Sequence, residues 1–167
     1  IRGPDSKPIA LPSGKPMRPT AMVIAASPRQ PSSILVGLND RDPQYHDVYR
    51  IDITTAKREL VYQNNTYSEV LADDELRVRI GTRFDASGAK LLERIDTPEP
   101  RLVARFEPQD TETSFVLGFD PSNDRIYLSD SRDRDTAALF LLDLSTGEKR
   151  LLAADPRVDF QGALINP

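Results

Sequence analysis

Short apolar runs separated by turn residues set the pattern of this chain. A hydrophobic strand start recurs at Ala21 (AMVIAA), Tyr67 (YSEVLA), Ser114 (SFVLGF) and Gln161 (QGALIN), at intervals of 46, 47 and 47 residues. Between these starts one sub-pattern returns: short strand, turn, strand, polar loop, strand ending in an acid, tight turn, strand. A fixed period with four short strands per unit is the mark of propeller blades. The predicted fold is all-β: a partial β-propeller of about three four-stranded antiparallel blades plus the first strand of a fourth. The predicted blades run over 20–64, 65–110 and 111–158, and a further one starts within 159–167.

The strands follow from the local pattern. In the first unit Ala21–Ala26 is the inner strand, Ile34–Leu38 the second, Val48–Ile53 the third and Lys57–Tyr62 the outer one. Ile34–Leu38 is almost wholly apolar, as a strand buried on both faces requires. The second unit gives Glu69–Ala72, Leu76–Arg83, Leu91–Ile95 and Leu102–Phe106; the third gives Phe115–Phe119, Arg125–Ser129, Ala138–Leu144 and Lys149–Ala153. No segment sustains a helical period.

Two units match closely. VYRIDITTAKREL (Val48–Leu60) lies over LFLLDLSTGEKRL (Leu139–Leu151), so Asp52 falls on Asp143 and Thr55 on Thr146. In the second unit the matching acid is Asp96. Each acid precedes the turn into the outer strand, where a carboxylate can accept amide N–H groups of the turn.

Residues 1–19 hold five of the fourteen prolines, which lack the amide donor a ladder needs, so this stretch is expected to be a linker or the end of a preceding blade. The last unit stops at Asn166-Pro167, where the third has its Asp120-Pro121 turn. The expectation is a piece of a longer polypeptide, roughly half of a closed propeller.

Composition narrows the function classes. A net charge of −4 and no basic stripe argue against nucleic acid. No apolar run is long enough to span a bilayer, so no membrane partner is expected. There is no cysteine, which excludes thiolate sites and disulfides but leaves the compartment open between cytoplasm and periplasm.

Candidate chemistry is thin. His46 is the one histidine, beside Asp47, and a lone loop imidazole does not make a triad. No G-x-S-x-G elbow, histidine pair or glycine-rich phosphate loop occurs. The expectation is no catalytic residue, no metal and no cofactor. Two polar loops stand out at equivalent blade positions: Asn39–Asp42 and Ser129–Asp135. Their alternating Arg and Asp fit ion-pair networks better than a calcium loop. Arg41, Asp42, Arg132 and Arg134 are the weak candidates for substrate contact.

The run ILVGLNDRDPQYHDVYRIDITTAKRELVYQN (Ile34–Asn64) resembles the propeller of bacterial serine peptidases of the prolyl oligopeptidase family, the dipeptidyl and acylaminoacyl-peptidase-like branch. So do LADDELRVR (Leu71–Arg79) and GFDPSNDRIYLSDSRDRDTAALFLLDLSTGEKRLL (Gly118–Leu152). The resemblance implies a propeller that restricts peptide access to a following α/β-hydrolase domain carrying Ser, Asp and His. That domain is absent from this sequence, so no catalytic residue carries over. The implied partners are the rest of the propeller, the hydrolase domain and a peptide substrate. The alternative is part of a TolB-like binding propeller without hydrolase activity. Under either reading the open strand edges are a template for pairing with a second copy.

Overall fold

Short apolar runs and frequent turns give twelve strands in the computed structural model, which describes residues 19–162. They form three four-stranded sheets, each an antiparallel meander. Blade 1 holds β1 (Ala21–Ala26), β2 (Ser33–Leu38), β3 (Asp47–Asp52) and β4 (Arg58–Tyr62). Blade 2 holds β5 (Glu69–Ala72), β6 (Val78–Phe84), β7 (Lys90–Arg94) and β8 (Arg101–Phe106). Blade 3 holds β9 (Phe115–Phe119), β10 (Arg125–Asp130), β11 (Ala138–Asp143) and β12 (Lys149–Ala153). The chain is thus a partial propeller. The proline-rich linker expected at 1–19 lies outside the described residues except for Pro19. The strand expected from Gln161 lies outside them beyond Gly162.

The blades are stacked through two apolar layers. Leu35 and Val48 of blade 1 meet Tyr67, Val70 and Leu76 of blade 2. Ile80, Leu92, Ala104 and Phe106 of blade 2 meet Phe119, Ile126, Leu128 and Leu142 of blade 3. Leu35, Ile80, Ile126 and Leu128 are fully buried, and each such side chain contributes about 1.5–3 kcal/mol.

Twist is built in at fixed places. In every blade the pairing of the first two strands shifts register once, and so does that of the last two. The middle pairs β2–β3, β6–β7 and β10–β11 run without a shift. Such bulges raise local twist, which lets each blade fan outward from its inner strand.

One strand begins two residues later than its sequence indicates. Leu76 was expected to open β6, but its φ is 55°, and the strand starts at Val78. Leu76 is 1% exposed, so burial of its side chain between blades offsets the cost of a left-handed backbone. The only helical turn among the described residues is the 3₁₀ segment Pro108–Asp110 in the crossover to blade 3.

Candidate functional site

Because strands alternate in direction, the loops sort onto two faces. The loops between second and third strands share one face with the crossovers between blades. The loops between first and second strands share the other with the tight turns into the outer strands. The inner strands β1, β5 and β9 lie side by side along the axis. Their clefts are lined by Met22, His46, Ser68 and Glu69 between blades 1 and 2, and by Glu69, Lys90, Phe106 and Phe115 between blades 2 and 3.

The four candidate residues all sit on the crossover face. Arg41 donates to both oxygens of Asp47, at 2.7 and 2.8 Å, and to the Asn64 carbonyl at 2.6 Å. Asp47 is buried and also accepts the Asn64 amide at 2.8 Å. Arg41 therefore ties the loop of blade 1 to the crossover entering blade 2. Arg132 repeats the device. It donates to both oxygens of Asp130 at 2.9 and 2.7 Å and to the Arg105 carbonyl of blade 2 at 3.1 Å. Its guanidinium also lies 4.7 Å from the centre of the Phe106 ring.

Asp130 is fully buried and takes a second cation, Lys149, at 2.7 Å. Burial pushes its carboxyl up, but the bonds from Arg132 and Lys149 outweigh this and hold it down at about 2. Asp42 shapes its own loop by accepting the Gln44 amide at 2.8 Å. Arg134 is exposed, donates to the Thr136 carbonyl at 3.2 Å and has no carboxylate partner among the described residues. It borders an open hollow of about 460 Å³ with Asp133, Asp135 and Pro156. The four candidates do not converge, because the two pairs belong to blades separated by blade 2.

His46 is placed at the mouth of the first cleft, where Nε2 lies 3.1 Å from the Thr20 hydroxyl. Lys90 holds the crossover into blade 3 by donating to the carbonyls of Thr111 and Ser114, the latter at 2.9 Å. Burial pushes its ammonium pKa down. Tyr67 packs its ring on Gly81 and donates its hydroxyl to Glu93 at 2.9 Å, and Arg83 caps the same carboxylate at 2.6 Å. Burial raises the Tyr67 phenol pKa, and the Arg83 bonds lower that of Glu93.

On the opposite face the turn aspartates behave as expected in two blades. Asp52 Oδ1 accepts the amides of Thr54 and Thr55 at 2.8 and 2.9 Å. Asp143 Oδ1 accepts those of Ser145 and Thr146, both at 2.9 Å. Asp96 differs. It pairs with Arg94 at 2.7 Å and lies 2.5 Å from Arg79 Nε, because the turn 97–100 carries two prolines and offers fewer amides. The Arg79 Nε–H points away from the bonding direction, so this contact is electrostatic, while Arg79 Nη1 bonds Asp73 at 2.8 Å. Asp73 and Asp120 open equivalent loops and are both buried; each pairs with an arginine at the loop's end, Arg77 and Arg125. The sequence analysis missed this pair, although each acid is followed within five residues by its arginine, four on for Asp73 and five on for Asp120.

No group of three or more His, Cys, Asp or Glu side chains able to hold a metal gathers among the described residues. The arrangement can position loops and line an axis, and no nucleophile held by both a base and an orienting carboxylate appears among the described residues.

No family model matches the chain. Over 150 residues, 89% of its length, it is 34% identical to dipeptidyl aminopeptidase BIII of Pseudoxanthomonas mexicana. Over 146 residues, 81% of its length, it is 25% identical to dipeptidyl peptidase family member 6 of Caenorhabditis elegans. The chain spans 22% and 20% of the length of these two relatives.

Proposed function

The chain is homologous to dipeptidyl peptidases of the prolyl oligopeptidase family, and from that relation we propose that it is the non-catalytic propeller portion of a serine peptidase. In this reading the propeller gates peptide access to a C-terminal α/β-hydrolase domain, which supplies the Ser, Asp and His of the triad. The observation that carries the reading is the 34% identity over 150 residues, far more than one blade could provide.

The geometry supports a scaffold role. His46, the chain's one imidazole, meets only the exposed Thr20 hydroxyl, and no carboxylate orients its other ring nitrogen among the described residues, so the third member of a triad is missing there. The Arg and Asp groups of the loops are mostly spent on fixing one blade to the next. Peptide would meet the axis-facing clefts, where Glu69 keeps its carboxylate free of ion pairs among the described residues. The outward face of blade 1 is apolar, with Val23 63% exposed beside Ile34 and Ile51. In this reading the preceding blade of the same propeller covers it.

Fluorophosphonate labelling tests the proposal on the full polypeptide and on this chain in parallel. Label on the polypeptide and none on the chain is the expected result. A folded, unlabelled polypeptide would point to a binding propeller instead. Label on the chain itself would mean that a nucleophile lies within these residues.

A further inference from the structure

On the face opposite the candidate loops, the connections between first and second strands of all three blades meet over one end of the axis. They surround a hollow of about 250 Å³ whose walls include Ala26 of β1, Ala72 at the end of β5, and Leu117 and Phe119 of β9. Arg29, on the blade 1 loop, reaches across this end. Its Nη1 donates to Glu75 of blade 2 at 3.2 Å, and its Nη2 lies 3.8 Å from Asp74. The same Nη2 donates to the Pro121 carbonyl of blade 3 at 2.9 Å. Glu75 and Pro121 are 46 and 92 residues away, one and two blade periods, so one side chain visits the same loop position in two successive blades.

The base of the loop is held differently from its tip. Gln30 Nε2 donates to the Glu75 carbonyl at 2.8 Å, and Arg50 bonds both Gln30 Oε1, at 2.7 Å, and the Leu76 carbonyl, at 3.1 Å. Ser27 is buried, and its carbonyl and hydroxyl close the turn onto Gln30 and Arg29. The arm itself is exposed: the side chains of Arg29 and Glu75 are 38% and 43% accessible. Exposed pairs of this kind are weak and are screened by salt. Rotation about side-chain torsions alone would free the guanidinium while the loop stays in place.

We propose that Arg29 is a salt-released strap that ties blade 1 to blades 2 and 3 and closes the axial hollow beneath it. The inference rests on contacts within this chain and stands apart from the peptidase reading, which fluorophosphonate labelling addresses.

The chain has no cysteine, so one introduced thiol reports accessibility alone. Ala72→Cys places a thiol in the wall of the hollow, and Leu102→Cys places a control on the outer strand, at a position 60% exposed. The rate of reaction with the uncharged reagent 4,4′-dithiodipyridine is measured at about 20 mM and about 1 M potassium chloride, where the screening length falls to roughly 3 Å. The expected result is a several-fold faster reaction of Ala72→Cys at high salt. Adding Arg29→Gln or Arg29→Ala should make it fast at both salts, with Leu102→Cys unchanged throughout. Equal rates at both salts, or a salt dependence that survives loss of Arg29, would overturn the proposal. So would a parallel rise at Leu102→Cys, which would mean that blade 2 as a whole had loosened.

Discussion

Replacing Asp130 by asparagine removes the single negative charge from a site that holds two cations. Both Asp130 oxygens are fully buried, bonded by Arg132 at 2.9 and 2.7 Å and by Lys149 at 2.7 Å. Stripping one partner from a fully buried pair costs about 3–5 kcal/mol. Here the arginine and lysine side chains are 30% and 33% accessible, so water recovers part of that loss. The expected cost is roughly 2–3 kcal/mol.

The carboxyl's own titration gives an independent figure. Its pKa is depressed in the folded chain, from 3.8 to about 2, so the stabilisation is present above the solvated value and is lost as pH falls through the folded one. This amounts to roughly 2 kcal/mol at pH 7, with about half remaining at pH 3 and little below pH 2. The assay is urea denaturation of wild type and Asp130→Asn, followed by far-UV circular dichroism at pH 7, 4 and 3. The difference between the two should shrink as pH falls, because a protonated aspartate and an asparagine are nearly the same shape. A difference that stays constant with pH would refute the charge argument. A loss under about 0.5 kcal/mol at pH 7 would show that water satisfies both cations fully.

Gly81→Ala should loosen the layer between blades 1 and 2, since a Cβ there would stand 2.6 Å from the Tyr67 ring. Tyr67 is 4% exposed and cannot swing aside, so a loss of about 1–3 kcal/mol and a changed near-UV tyrosine signal are expected; unchanged values would refute it. Ala56 and Gly147 occupy matching turns, with φ of 57° and 75°. Gly147→Ala should cost about 1 kcal/mol through backbone strain alone, because nothing lies within 4 Å, and Ala56→Gly should raise the urea midpoint slightly. The chain should self-associate through its open edges and the apolar face of blade 1. Sedimentation velocity should show a dimer that Val23→Lys weakens, and a monomer at high concentration would count against it.

Most strand positions were legible because a fixed period and turn-bounded apolar runs leave little freedom. β1, β5, β9 and β12 have the expected bounds, and the other strands differ by a residue or two at one or both ends. The Asp52 and Asp143 turns were legible too, because an aspartate two residues before Thr or Ser bonds locally, wherever the blade lies. Leu76 and Asp96 departed from expectation for different reasons. Leu76 answers to the buried layer between blades, and Asp96 to a proline-bearing turn that leaves it to Arg94 and Arg79.

The candidate loops show the same division. The Arg and Asp alternation marked Arg41 and Arg132 as ion-pairing groups, and each closes on a near neighbour in sequence, Asp47 or Asp130. Their second bonds, to the carbonyls of Asn64 and Arg105, depend on the crossover and on the adjoining blade. Arg134 lacks a carboxylate partner among the described residues, although its neighbours on both sides are acids; it lies in a turn where Asp133 has a φ of 58°, and its Nε donates to the Thr136 carbonyl instead.

The sequence by itself determined the repeat, the strand order within each blade and the local turns, all of which depend on contacts a few residues apart. Tertiary structure alone decided which groups meet across blades. Arg29 finds Glu75 and Pro121 because stacking blades brings equivalent loops together at the axis. Spacing along the chain fixes which loops are equivalent, but only the twist and packing of the sheets aim one long side chain across the other two.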